Sequence, residues 1–147
     1  MRVRPGFTLM ELLTVFVLVS AVLAMAFPRM SRNFAQMRLQ RAVSVVSADL
    51  RLAHSLAERQ RTPVTIVVDT ATRLVRIRDT GVSTRIYSER RFDRNSEYPL
   101  TRLQASQPTL VVYPNGLSSA DINIIMTAGT RSRTVSMTRA GQVRVLP

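Results

Sequence analysis

The sequence predicts an α+β protein in which one long N-terminal helix, apolar in its first half and amphipathic in its second, packs on a small antiparallel β-rich head. Three observations predict it. An apolar run covers residues 7–27. Apolar residues then recur at alternating steps of four and three from Leu39 to Ala57, which is the period of a helix with one buried face. After Pro63 the period drops to two, and short alternating segments broken by Asp, Gly and Pro follow to the end of the chain.

With 147 residues, a helical anchor at one end leaves roughly a hundred residues for a single compact head. The chain has no Cys and one His, His54, so it can build neither a disulfide framework nor a thiolate or poly-His metal site. There is no nucleophile elbow and no phosphate-cradling glycine loop. The acids Asp49, Asp69, Asp79, Asp93 and Asp121 fall in different elements and form no pair by spacing. The sequence therefore offers no catalytic, cofactor-binding or metal-ligating residues, and no enzyme activity is expected. The formal charge is +12 with 21 basic residues, all of them Arg. Such a balance favours anionic partners such as phosphate backbones, lipid headgroups or acidic proteins. A genome rich in G and C also replaces Lys by Arg, and composition does not separate the two origins.

The apolar run is long enough to span a bilayer as a helix. Arg2 and Arg4 precede it, and basic residues beside a first apolar helix hold that end in the cytoplasm, which places the remainder outside. Within the run Glu11 alone is charged. A charge costs roughly 2.5–3.5 kcal/mol at a helix centre in the membrane, less near the interface, so a partner for Glu11 is expected. Snorkelling towards the headgroups is the plainer account.

The segment Gly6-Phe7-Thr8-Leu9-Met10-Glu11-Leu12-Leu13, after a short basic leader, resembles the class III signal of type IV pilins and pseudopilins. The resemblance implies that residues 1–6 are a leader cut between Gly6 and Phe7 by a prepilin peptidase, and that Phe7 is then N-methylated. It also implies that residues 7–28 form the transmembrane and assembly helix, with Pro28 at a helix-breaking position common in the family. Glu11 becomes the carboxylate that sets subunit register. Cleavage would create an α-amine on Phe7 about 6 Å along the helix from Glu11, and in a bundle of parallel helices the Glu11 of one subunit can meet the amine of its neighbour. The expected location is the bacterial inner membrane, single-pass with a periplasmic head, and then a periplasmic or surface filament of other pilins or pseudopilins.

The head is expected over residues 29–147, helical over 29–61 and β-rich over 62–147. Pro28 should kink or loosen the helix rather than end it. Leu39, Val43, Val46, Leu50, Ala53 and Ala57 form the stripe on which a sheet packs, while Arg38, Arg41, Asp49, Arg51, Glu58 and Arg59 read as a solvated face. His54 lies beside the stripe as a surface or packing residue. The helix should stop near Arg61, because Thr62 precedes Pro63. PVTIVVD, LVRIRD and RIYS read as a meander, residues 90–108 as a variable loop with one edge strand, and Leu110 to Tyr113 as a further strand before a turn at Pro114-Asn115-Gly116. Ile122, Ile124 and Met126, then Val135 and Met137, then Val143 and Val145 mark core faces, with Arg144 pointing outward.

The AHSLAERQRTPVTIVVD junction, the YPNG turn and the closing RAGQVRV resemble the head of GspH/FimT-type minor pseudopilins. That resemblance implies a structural subunit of a type II secretion pseudopilus or a type IV pilus, acting in filament assembly and protein secretion. The alternative it carries is a minor pilin that captures DNA for natural transformation through a C-terminal Arg patch. The candidates are Arg131, Arg133, Arg139, Gly141, Gln142 and Arg144. DNA-binding members carry Gly-Arg-x-Arg, whereas this chain has Gly141-Gln142-Val143-Arg144, with Gln142 in place of the first Arg. A third reading gives the Arg-rich head acidic protein partners.

Overall fold

The computed structural model describes residues 8–146; the side chains of residues 25–33 lie outside that description, as do Gly6 and Phe7. The described chain forms one helix, α1 (Leu9–Gln60), followed by eight strands. These are β1 (Val64–Asp69), β2 (Leu74–Asp79), β3 (Ile86–Arg91), β4 (Arg102–Ala105), β5 (Thr109–Val112), β6 (Ile122–Ala128), β7 (Arg131–Met137) and β8 (Val143–Leu146). The chain divides into two compact units, Met1–Phe34 and Ala35–Pro147. The backbone of α1 continues through Pro28, so that proline does not end the helix.

The second unit is the α+β head. It contains two four-stranded antiparallel sheets, in the orders β3-β2-β1-β5 and β4-β6-β7-β8, where the sequence suggested one sheet over the helix. The expected stripe is the core face of α1: Leu39, Val43, Val46, Leu50, Ala53 and Ala57 are all buried. They meet Val64, Ile66, Leu110 and Val112 of the first sheet and Ile122, Ile124, Met126, Val135 and Met137 of the second in one hydrophobic cluster. Each of these strand residues sits at every second position, so the pleat sends them to the same side. The helix ends at Gln60; Arg61 follows with φ 56°, a left-handed residue of the kind that closes helices.

The β1–β2–β3 meander forms as its period predicts, and β4 is the edge strand expected within residues 90–108. At the turn after β2, the N–H of Val82 chiefly, with the Tyr87 hydroxyl and the N–H of Gly81, holds the Asp79 carboxyl below its ordinary pKa.

Two expectations are corrected. Asp49 does not belong to a solvated face: it is buried, and its carboxylate accepts from Ser88 Oγ at 3.3 Å and from Arg90 Nε at 3.1 Å. Those two residues lie on β3 in register with Ile77 and Val75, so the edge strand of the first sheet turns polar side chains towards α1 and the helix answers with a carboxylate. Val145 shares the inward side of β8 with Val143, yet it is 49% exposed. β8 is the last strand of its sheet, and at Val145 the space against α1 is an open hollow bordered by Ser44, Ser47, Ala48 and Arg51.

Candidate functional site

The first candidate region is the N-terminal part of α1. Thr8 stands just before the helix, and the N–H of Glu11 donates to its carbonyl at 3.1 Å and to its Oγ1 at 3.3 Å. Thr-x-x-Glu has the spacing of a capping box, a signal legible in the sequence, and the Thr8 half of it is formed. Glu11 itself is exposed. Around it Leu9, Leu12, Leu13, Val15, Phe16 and Val17 are exposed as well, Phe16 at 64%. A contiguous apolar surface of this extent marks a site covered by membrane or protein. Among the described residues no helix is long and apolar enough to cross a membrane; the expected span of residues 7–27 reaches past the described side chains, which in this run are those of residues 8–24.

The second region is the hairpin formed by β7 and β8. Thr138 and Gly141 close its turn, with Gly141 N–H donating to Thr138 O at 2.9 Å, and Gly141 adopts φ 76°. This glycine is required for a second reason: a Cβ on it would stand 2.3 Å from Cε1 of His54, so a side chain must displace either the imidazole or the turn. Gly116 of the YPNG turn, φ 81°, covers the same ring, and a Cβ there would lie 3.7 Å from it. His54, with Nε2 at 3.3 Å from Glu58 Oε1, is thus a packing residue on which two turns rest.

The structure does not gather the Arg candidates into one patch. Arg131 and Arg133 pair with Ala128 and Met126 and so share the inward face of the second sheet, where they border a hollow with Gln36, Leu39 and Gln40 of α1. Arg139 lies in the hairpin turn, eight residues and about 26 Å of strand from Arg131. Its Nη2 donates to Ser119 O at 3.1 Å and its backbone N–H to Asp121 Oδ1 at 2.6 Å. Arg144 pairs with Ser136 on the outward face, as expected, and its Nη2 donates to Gln142 Oε1 at 3.2 Å. Gln142 therefore serves to hold Arg144 and does not supply the missing charge.

Comparison with solved structures decides the architecture. The type IV minor pilin FimU of Pseudomonas aeruginosa superposes with a TM-score of 0.62 at 18% identity, over 76% of this chain and 90% of that one; a second crystal form of it gives 0.58. The chain has the pilin fold. The minor pseudopilin EpsH of the Vibrio cholerae type 2 secretion system agrees, with a TM-score of 0.55 at 14% identity over 74% of this chain and 96% of that one. No family model and no curated protein matches the chain in sequence.

Within that pilin fold, register exposes a feature no motif announced. The outward positions of the second sheet are Arg102 and Gln104 on β4, Asn123, Ile125 and Thr127 on β6, Ser132, Thr134 and Ser136 on β7, and Arg144 and Leu146 on β8. None is acidic. Arg102 and Arg144 stand at opposite corners of this hydroxyl- and amide-rich face.

Proposed function

We propose that this chain is a minor pilin or pseudopilin, a subunit of a type IV pilus or a type II secretion pseudopilus that acts in filament assembly. In this reading residues 1–6 are removed after Gly6 by a prepilin peptidase and Phe7 is N-methylated. Residues 7–28 hold the chain in the inner membrane with the head outside the cytoplasm, and then pack against other pilins. The observation that carries the reading is the exposed apolar surface of residues 9–23 on a chain with the pilin fold. A subunit that leaves the bilayer must keep such a surface for its neighbours, in a helical arrangement that does not close. Coexpression with a prepilin peptidase should yield a protein whose N-terminus is Phe7 by intact-mass measurement. Cleavage near residues 20–26, or none, would leave a conventional signal or a plain anchor.

DNA capture is a second reading, favoured by the acid-free outward face with Arg102 and Arg144. Binding there would run through phosphates with little sequence preference. The purified protein should then bind double-stranded DNA with an affinity that falls steeply between low and moderate salt, and Arg144→Ala should weaken it and flatten the salt dependence. Absence of binding at low salt would return the face to a structural role.

A further inference from the structure

The loop after β5 and the turn after β7 border an open hollow of about 450 Å³ lined by Tyr113, Asn115, Leu117, Ser118, Ser119 and Arg139. That volume is in the range of small ligand sites, roughly 300–1,000 Å³. The geometry points to a binding site for a protein segment that presents a carboxylate beside an apolar side chain. This inference is independent of the filament role and of DNA capture.

The walls are fixed before any partner arrives. Tyr113 N–H donates to Leu117 O, Gly116 N–H to Tyr113 O, Leu117 N–H to Asn115 Oδ1, Ser118 N–H to Arg139 O and Ser119 N–H to Val111 O, all between 2.8 and 3.1 Å. The two turns rest on one imidazole, that of His54, through Gly116 and Gly141. Arg139 is held at its backbone by Asp121 and at Nη2 by Ser119 O. No carboxylate pairs with its guanidinium among the described residues. A planar fork with unused donors matches the two oxygens of a carboxylate.

Beside the cation stand two exposed apolar surfaces, Tyr113 at 41% and Leu117 at 49%. A nucleic-acid backbone asks for several cations in a row; this hollow offers one, with apolar walls and neutral donors. A carboxylate for the unused donors of Arg139, flanked by an aliphatic or aromatic side chain for Tyr113 and Leu117, matches the exposed groups of this hollow.

The test is a titration of the full chain in detergent, followed by ligand-observed NMR, with an acetylated and amidated pentapeptide in which Asp stands between two Leu. The expected result is saturable binding that weakens about tenfold or more, some 1.4 kcal/mol, when the peptide Asp is replaced by Asn or when the protein carries Arg139→Gln. Leu117→Ser, a change at an exposed side chain, should weaken it too, while Arg144→Gln should not. Equal binding of the Asp and Asn peptides, indifference to Arg139→Gln, or no binding at millimolar peptide overturns the inference. Displacement of the peptide by a short oligothymidylate would reassign the hollow to nucleic acid.

Discussion

Glu11→Ala and Glu11→Gln are both expected to abolish incorporation into a filament while leaving removal of residues 1–6 intact. In the proposed processing, the peptide bond that would be cut is followed by four residues before Glu11. In the proposed filament, Glu11 would enter an apolar bundle, where a carboxylate without a counter-charge carries a large desolvation penalty. The amine that cleavage would create on Phe7 of a neighbour is the group proposed to answer it. Removing one member of a buried pair costs roughly 3–5 kcal/mol, a loss of about a hundredfold to several thousandfold at one contact. The two variants separate this role from capping. Glu11 occupies the third helical position after Thr8 and its N–H is bonded to Thr8 Oγ1, so the residue also takes part in the helix cap through its backbone, which both variants preserve. Cap effects are about 1 kcal/mol, too small to prevent assembly. The readout is the fraction of mature subunit recovered in sheared filaments, with the N-terminus verified by mass. Wild-type recovery of Glu11→Gln would reduce Glu11 to a helix cap.

The elements legible in the sequence are those whose periodicity has a single cause. The stripe from Leu39 to Ala57 and the alternation of Ile122, Ile124 and Met126 each record one face against one core, and each is buried as read. Periodicity fails where two elements negotiate a contact. Asp49 falls on the polar side of the helical pattern, and only the register of β3 reveals that Ser88 and Arg90 meet it. Val145 alternates as a core residue does, but alternation fixes a direction and not what lies in that direction; for an edge strand nothing closes over it. The Arg candidates are close in sequence and still diverge, because successive residues of β7 and β8 point to opposite faces and the strand carries Arg131 away from Arg139. The hollow at Tyr113 and Arg139 had no sequence signal at all. It exists because two turns remote in the chain converge on His54, whose reading as a surface or packing residue agrees with its partly exposed place under Gly116 and Gly141.

Phe92→Ala is expected to destabilise the head by roughly 3–5 kcal/mol, a large part of the 5–15 kcal/mol typical of a domain. Phe92 lies in the polar stretch of residues 90–108 read as a variable loop, yet it is 0% exposed and heads the largest fully buried side chains. Its backbone explains the position. The Phe92 N–H donates to Arg73 O at 2.9 Å and its carbonyl accepts from Leu100 N–H at 3.0 Å, while Arg73 Nη1 reaches Leu100 O at 3.2 Å. Its backbone therefore ties together both ends of the β3–β4 loop, one of three connections between the two sheets, and its side chain lies in the core with Leu100. Truncation would leave a cavity at that junction, which the clamped backbone cannot collapse to fill, and cavity volume is what raises such losses above simple transfer. Phe92→Leu keeps most of the volume and should cost less than half as much. Urea denaturation followed by circular dichroism distinguishes the cases: a midpoint displaced at unchanged slope reports lost stability alone. A shift below 1 kcal/mol for Phe92→Ala would mean that the β3–β4 loop is held by its backbone bonds and not by the buried ring.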